Sequence, residues 1–436
     1  MRRWKGSGVT RVGSGSTEPP NHHREGHAVS HHALLTTAVM IAGCHAGPSI
    51  PVAAPEVASS RYLFVWAGDA DKRESDFLAV VDVDRHSPTY AEVITTLPVG
   101  AVGTVPHHTE YEMPPGGVLW ANGFAAGQTF RLDLRDPTRP RLAGSFGDAG
   151  PFSHPHSFAR LPGGNVLATF QHRTGEESPG TGGLVELDTA GRVVRYASAA
   201  APGIDSTIRP YSLVIVPALD RVVTTATDMH LQARSRAVQV WRLSDLALLH
   251  TLLLHPGPRG DENWLTAEPR VLADGRTVLV NTFTCGLYRL CGLEGDAPWA
   301  ESVYSMPWAE GRNCAVPVVA GRFWLQTSGA EHAVVSLDIS NSGRPREVAR
   351  LTLQSDQVPH WIALEPSGSR LVITGYRDLA AWVLLADLNR GTGALELDTT
   401  FKAPGAAQAG VYFGRDQWPH GPTGPAVPHG AVFSRP

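Results

Sequence analysis

The spacing of a recurring strand start constrains the fold of this chain more than any other feature. From residue 60 onward, short apolar runs alternate with turns rich in Gly, Asp and Pro, and no segment of helical period competes with them. A period of about 40–50 residues with several strands per unit is typical of a β-propeller. The starts fall 46–59 residues apart, at His107, His154, Arg209, Glu268, Cys314 and His360.

The C-terminus supplies a seventh start. His429 opens a final apolar strand, and the three apolar runs between residues 62 and 99 have no opening strand of their own. Joining the two segments completes one blade and removes the exposed edge strands. We therefore predict an all-β fold, a single seven-bladed β-propeller over residues 61–436. It is closed by pairing of the C-terminal strand with the N-terminal blade.

Histidines are concentrated at these strand starts. The first strand of each propeller blade lines the central channel, and these strands run parallel, so their starts share one face of the disc. Imidazole nitrogens are common ligands of copper and zinc. We predict a metal site at one mouth of the channel, with His107, His108, His154, His156, His360 and His429 as candidate ligands. The turns on the same face hold His172, His230, His332 and Cys285.

Strand geometry restricts how these histidines can cooperate. His107 and His108 are adjacent, so in a regular strand their side chains point to opposite faces, whereas His154 and His156 share one. Both members of the first pair can bind one ion only if the strand is irregular there.

Two carboxylates lie at the same strand starts. Glu110 and Glu268 are candidates for acid–base catalysis or for supporting the ligands. The alternative is a structural ion pair with Arg131, Arg209 or Arg270.

Three cysteines lie in the body of the chain. The predicted topology brings Cys285 and Cys314 to one face in neighbouring blades, where they form a disulfide, a soft metal-ligand pair or two buried thiols. Cys291 is expected at the far end of its strand, too far from Cys285 to pair with it.

The N-terminal segment is typical of export. An apolar run of eleven residues, 33–43, is too short to span a bilayer and fits a signal-peptide core. It ends in Ile41-Ala42-Gly43-Cys44, which resembles a bacterial lipobox with Cys44 as the lipidated residue. An ordinary cleaved signal is the alternative. We interpret residues 1–44 as leader and signal peptide and residues 45–60 as a flexible tether, which predicts a periplasmic protein anchored to the cell envelope by lipid.

The charge pattern argues against nucleic acid as a partner. The formal net charge is −4, and no basic stripe runs through the body. Membrane contact is expected only through the lipid anchor.

Several short motifs, in order along residues 62–436, resemble the selenium-binding protein / methanethiol oxidase family. They are residues 76–84 followed by Ser87-Pro88-Thr89-Tyr90, then His107-His108, His156 before Leu161-Pro162-Gly163-Gly164, residues 182–188, residues 337–340 with Arg344-Pro345-Arg346, and residues 424–429 ending in Pro428-His429.

The resemblance implies a seven-bladed propeller and a copper-dependent oxidation of methanethiol with oxygen and water to formaldehyde, hydrogen sulfide and hydrogen peroxide. It carries over His107, His108, His156 and His429 as copper ligands. His154 and His360 are candidates from strand geometry alone. Relatives carry a cysteine, proposed to bind selenium, just after the Ser-Pro-x-Tyr segment. Here the residue is Ala91, which excludes selenium binding through that position.

The leading hypothesis is therefore an exported copper oxidase whose partners are a small thiol and oxygen. The alternatives are a non-catalytic metal- or selenium-binding propeller, a lipid-anchored scaffold, and a hydrolase or lyase that uses zinc in the same pocket. The fold alone does not separate them, since propellers host many functions.

Overall fold

The structure, a computed structural model, describes residues 59–175, 180–204, 208–229, 235–306, 313–376 and 381–436. The proposed leader, Cys44 and most of the tether lie outside these residues, as does His230. Within them the chain forms one short 3-10 helix, Pro217–Leu219, and β-strands in seven sheets. No helix among them is long and apolar enough to cross a membrane.

The strands are β1 (Tyr62–Asp69), β2 (Ser75–Asp82), β3 (Val93–Val102), β4 (Pro106–Thr109), β5 (Val118–Gly123), β6 (Gln128–Asp133), β7 (Arg141–Phe146), β8 (Phe152–Arg160), β9 (Val166–Arg173), β10 (Gly183–Leu187), β11 (Val193–Ser198), β12 (Pro210–Val216), β13 (Arg221–Ala226), β14 (Ala237–Arg242), β15 (Leu248–Leu253), β16 (Thr266–Val271), β17 (Val278–Thr282), β18 (Gly286–Cys291), β19 (Trp299–Ser305), β20 (Pro317–Ala320), β21 (Phe323–Ser328), β22 (Ala333–Asp338), β23 (Arg346–Thr352), β24 (Trp361–Leu364), β25 (Arg370–Thr374), β26 (Trp382–Leu388), β27 (Leu395–Leu397), β28 (Val411–Tyr412) and β29 (Ala426–Phe433).

The seven sheets are the blades of a β-propeller, as predicted. Blade 1 has the strand order β29-β1-β2-β3, and blades 2 to 6 are the consecutive groups β4–β7, β8–β11, β12–β15, β16–β19 and β20–β23. Blade 7 is β24–β27, with β28 added against β26. The predicted closure is confirmed, because β29 pairs antiparallel with β1, from Leu63 opposite Phe433 to Asp69 opposite Ala426.

The apolar character of β1 follows from burial on both faces. Successive side chains of a strand point to opposite sides. Leu63 and Val65 pack in a cluster with the blade 7 residue Val372, whereas Phe64 and Trp66 pack with residues of blade 2. The core is thus a series of layers between neighbouring blades, which is why the central strands read as continuous hydrophobic runs.

A β-bulge recurs in the first strand of five blades. In each of these blades, two successive paired positions are three residues apart on the first strand but only two residues apart on the second. The first strand therefore contains one extra residue. The bulged pairs are His107–His108, His156–Ser157, Tyr211–Ser212, Ala267–Glu268 and His429–Gly430. Bulges redirect side chains, and these lie where the first strands approach the channel.

A buried polar side chain on the second strand holds the bulge of blade 2 and joins it to blade 3. The side-chain oxygen of Asn122 accepts the His108 N–H at 2.6 Å, and its Nδ2 donates to the carbonyls of Pro155 at 2.8 Å and His156 at 3.1 Å. Equivalent donors bond to carbonyls in or just before the first strand of the following blade around the ring: Thr169, Thr225, Asn281, Thr327 and Thr374. We call these six residues the inter-blade bridges.

Removing β29 should prevent folding. Deletion of residues 426–436 strips β1 of its partner and removes Ala431 and Phe433 from the core, leaving an apolar edge strand open to aggregation. We expect size-exclusion chromatography to show aggregate instead of the folded species that the full chain forms, and a synthetic peptide of residues 422–436 to restore that species by strand addition. Deletion of the exposed residues 435–436 is the control, and normal folding of the longer deletion would contradict this account.

Replacing Asn122 should destabilise the propeller. Asn122→Ala leaves the His108 N–H and two carbonyls buried without partners, which costs about 2–4 kcal/mol at typical penalties for such groups. Asn165→Ala removes a half-buried side-chain contact with Glu186 and should cost less than about 1 kcal/mol. Urea denaturation of both variants measures the loss in free energy of unfolding. Equal losses would show that Asn122 stabilises the protein no more than an ordinary half-buried hydrogen bond does.

Candidate metal centre

Five of the six predicted histidines meet in the channel. His107 and His108 come from the bulge of β4, His156 from β8, His429 from β29, and His360 immediately precedes β24. All five are buried. The ring centroid of His107 lies 4.5 Å from that of His108, 4.8 Å from His156, 4.2 Å from His429 and 6.5 Å from His360.

The bulge resolves the problem posed by two adjacent histidines. A regular strand would send His107 and His108 to opposite faces, but here their rings stack with an interplanar angle of 22°. The ligand atoms of His107, His108 and His156 all lie within 4.8 Å of one another. These three form the tightest group, and His429 adjoins it through His107.

Hydrogen bonds fix the orientation of the ligand rings. His429 Nδ1 donates to the His107 carbonyl at 2.6 Å, and because a carbonyl only accepts, Nε2 of the neutral ring must carry its lone pair. Ser157 Oγ lies 3.0 Å from His108 Nδ1 and 3.1 Å from His156 Nδ1. Its two lone pairs can accept both N–H groups, which leaves both Nε2 atoms as donors to a metal.

Several ring nitrogens in this group are buried without a hydrogen-bond partner. They are both nitrogens of His107 and the Nε2 atoms of His108, His156 and His429. Buried polar atoms are normally satisfied, so such a concentration is unusual. Convergent neutral imidazoles suit Cu and Zn. The residues present therefore fit a metal ion.

Burial keeps the imidazoles neutral. Desolvation lowers the pKa of His156 and that of His429 to about 3 each. The pKa values of His107 and His108 fall well below the usual 6.5, because burial is reinforced by repulsion from neighbouring histidines. Protons therefore do not compete with a metal for these nitrogens at neutral pH.

A pocket of about 360 Å³ leads to His429 from one mouth of the channel. Its lining includes Tyr376, Lys72 and Pro106, the first residue of β4. The Tyr376 ring stacks on His360 at 4.9 Å and touches His429 at 5.0 Å. Small molecules can reach the histidines from this side.

His154 is not brought into the group. It has a left-handed backbone, φ +60°, and its ring neighbours are His172 at 4.2 Å and Phe124 at 5.9 Å. The expectation that His154 and His156 share a face therefore does not describe this strand. A ligand role for His154 stays a prediction that the arrangement does not support.

The two predicted carboxylates differ in their surroundings. Glu110 pairs with Arg160 at 2.9 Å and accepts the Trp120 N–H, and burial raises the pKa of Glu110. Glu268 pairs with Arg270 at 2.8 Å, one of the pairings considered from sequence. Glu268 also accepts hydrogen bonds from Tyr111 and Ser212, each at 2.6 Å. Catalytic roles for Glu110 and Glu268 stay predictions.

Cys285 and Cys314 are joined as a disulfide across blades 5 and 6, with Met306 beside them. This settles the three alternatives that the sequence left open. A disulfide sulfur is not a thiolate, so this pair provides no metal ligand.

Sequence reasoning overlooked residues that shape the site. Tyr211 lies 4.0 Å from His156, ring to ring, at the bulge position of blade 4 that histidine occupies in blades 1, 2 and 3. A signal was available, because Tyr211 follows a proline, as do His107, His156, His360 and His429, whereas His154 does not. Ser157 and Tyr376 gave no comparable signal, since their roles depend on contacts between blades.

Comparisons with known proteins agree with the geometry. No family model matches the sequence. The chain is 34% identical over 141 residues to a methanethiol oxidase from Hyphomicrobium sp, and the match spans 31% of each chain, about a third of that relative's length. Among solved structures, it is similar to a hypothetical selenium-binding protein from Sulfolobus tokodaii, with a TM-score of 0.68, 16% identity and coverage of 87% and 94%. A periplasmic gluconolactonase from Pseudomonas aeruginosa shares the fold, with a TM-score of 0.60, 14% identity and coverage of 86% and 99%.

The depressed pKa of His429 predicts acid sensitivity of the metal-free protein. The unfolded imidazole binds a proton below about pH 6.5, whereas the folded one resists protonation to about pH 3, so stability falls as pH drops through this window. Removing one such group should reduce the slope by an amount that grows from almost nothing at pH 7.5 to ~1.4 kcal/mol per pH unit near pH 5.

The measurement is urea unfolding with a chelator between pH 7.5 and 5. His429→Gln should show the shallower slope, and the exposed His86→Gln should match the wild-type protein. Identical slopes in all three proteins would mean that His429 does not stay neutral in the folded state.

Proposed function

We propose that this chain is an exported copper oxidase of small thiols and a member of the selenium-binding protein / methanethiol oxidase family, which its partial match to a methanethiol oxidase and its similarity in fold to a selenium-binding protein support. The observation that carries the proposal is the convergence of His107, His108, His156 and His429 with unpartnered, neutral ring nitrogens. These four residues belong to the motifs on which the family resemblance rests. Methanethiol is the substrate named for the relative, and it is the first thiol to test.

The chain contributes a preorganised set of ligands. Ser157 and the His107 carbonyl hold three of the rings before any ion arrives, so little reorganisation opposes binding. A bound copper ion would supply affinity for thiolate sulfur and a one-electron couple for reduction of oxygen. His360 contacts His429 at 4.9 Å and lies beside the group as a further ligand or as a donor to substrate.

Access and burial favour a small substrate. The pocket beside His429 has room for a small thiol, and its lining includes Tyr376, whose ring contacts that of His429. Burial of the histidine rings keeps bulk water from the reacting atoms, which strengthens electrostatic interactions there.

Export and lipid anchoring through Cys44 are part of the same proposal. The Cys285–Cys314 disulfide supports it, because such bonds persist mainly in oxidising compartments. Radiolabelled lipid incorporation into the full chain, compared with Cys44→Ala, tests the anchor.

Loss of single histidines should abolish both copper binding and oxidation. We expect His429→Ala and His108→Ala, purified after copper loading, to retain less than a tenth of the wild-type metal and oxygen uptake with methanethiol, because each removes a donor from a small set. Elemental analysis and an oxygen electrode provide the two readouts.

The exposed His86→Ala serves as the control and should equal wild type in both measurements. Zinc in place of copper, or copper-loaded wild-type protein that consumes no oxygen with any small thiol, would contradict the proposed oxidase. Full copper occupancy in His429→Ala would remove that residue from the site.

A further inference from the structure

A column of stacked side chains runs from the histidine group toward the other end of the channel. The indole of Trp361 contacts the His108 ring, with centroids 5.0 Å apart. Tyr111 stacks on Trp361 at 5.1 Å with an interplanar angle of only 6°. The guanidinium of Arg270 lies over the Tyr111 ring, 4.1 Å from its centroid.

The column ends in a second pocket. This pocket, of about 460 Å³, is lined by Tyr111 and Arg270 and lies past the end of β4, whereas the pocket at His429 includes the first residue of β4. Because β4 runs along the channel, the two pockets open toward opposite ends of it. Trp361 is fully buried between them, and its Nε1 donates to the Ala431 carbonyl at 2.9 Å.

Tyr111 is prepared to lose an electron and a proton together. Its hydroxyl donates to Glu268 Oε2 at 2.6 Å, a short bond of the charge-assisted type. The other Glu268 oxygen, Oε1, is buried without a hydrogen-bond partner. A phenol that can hand its proton to a carboxylate is much easier to oxidise than one that must form a radical cation.

We propose that Trp361 and Tyr111 form a relay that carries oxidising equivalents away from the metal-binding histidines to the pocket at the far end of the channel. The inference rests on the proposed copper site. It does not depend on thiol oxidation. Hydrogen peroxide, a product of the proposed reaction, makes such a path useful, since peroxide and reduced copper generate oxidants beside the ligand rings.

The electron balance is simple. A reduced copper ion held by the histidines would supply the electron that splits peroxide into hydroxide and a hydroxyl radical, and that radical would become hydroxide by taking an electron from Trp361. Trp361 recovers an electron from Tyr111, whose proton moves to Glu268 Oε2, leaving a neutral phenoxyl radical. A small one-electron reductant such as ascorbate, arriving in the second pocket, returns the electron, and Glu268 returns the proton.

The test exposes the copper-loaded protein to peroxide and ascorbate and measures oxygen addition to the histidines by peptide mass spectrometry. We expect at least threefold more oxidation of His108 and His429 in Tyr111→Phe and Trp361→Phe than in wild type, since both variants interrupt the relay. Glu268→Gln should behave like Tyr111→Phe, because an amide is a very weak base. Freeze-quenched samples should show a phenoxyl signal by electron paramagnetic resonance in wild type and none in Tyr111→Phe.

Matched controls are Tyr288→Phe, a buried tyrosine bonded to the His255 carbonyl, and Trp324→Phe, a buried tryptophan in a separate cluster. Both should resemble wild type. Equal histidine oxidation in all proteins, or equal increases in the controls, would overturn the relay. Tyr111→Phe removes only a hydroxyl and keeps the test decisive if Trp361→Phe folds poorly.

A metal-free arm separates this inference from the proposed function. Hexachloroiridate(IV), a one-electron oxidant, should generate the phenoxyl signal in wild-type protein without copper and not in Tyr111→Phe. Absence of that signal would refute the relay even if copper binds and thiols are oxidised. If the protein binds no copper but gives the phenoxyl signal, the proposed function is wrong and Tyr111 is still a redox-active residue.

Discussion

The inter-blade bridges are the constraint on which the rest of the structure depends. A propeller blade buries apolar faces against both neighbours, but apolar packing has no direction and does not set the register of one blade against the next. Asn122 sets this register between blades 2 and 3, because its side-chain amide accepts from the bulge of its own blade and donates to the carbonyls of the next.

The junction between blades 1 and 2 uses one of the candidate metal ligands, since His429 Nδ1 donates to the His107 carbonyl. At that point Gly430 approaches so closely that an added Cβ would lie 2.8 Å from the same oxygen. One hydrogen bond therefore joins blade 1 to blade 2 and also orients a candidate metal ligand.

Stability and metal affinity make opposite demands on these histidines. Buried imidazoles with unpartnered nitrogens cost folding energy, because they lose their hydrogen bonds to water. Closing them into the channel also lowers their pKa values, which removes proton competition for the metal. The surrounding bridges and blade cores supply the stability that the site lacks, and binding of an ion would convert the unsatisfied nitrogens into ligands. The fold therefore holds such a site together without a metal, and metal binding would stabilise the folded state further.

The sequence was sufficient for the fold and for most of the site, since both follow from spacing. The recurrence of strand starts predicted seven blades, and the parallel first strands predicted that His107, His156, His360 and His429 meet. What spacing could not provide was the bulge, because an extra residue shows only when two strands are placed in register. The same bulge brings His107 and His108 together. The alternation of side chains in a regular strand also predicted that His154 lies beside His156. The left-handed backbone of His154 instead places its ring beside His172. The arrangement of Ser157 between two imidazoles depends on contacts between blades, which no local pattern records.

The two ends of the channel have different linings. At the His429 end, a pocket lined by Pro106, Tyr376 and His429 is open to small molecules. Toward the other end, β4 leads into Tyr111, which stacks on Trp361, contacts Arg270 and lines the second pocket. Apart from His107 and His108, which share β4, the candidate ligands come from different blades, so a substitution at one strand start leaves the histidines of the other blades unchanged. Blade 4 illustrates this, since Tyr211 stands where a histidine stands in blade 3, and the neighbouring ligands remain in place. A ring of independent blades can therefore change the chemistry of its centre one residue at a time, provided that the bridges behind the histidines keep the register.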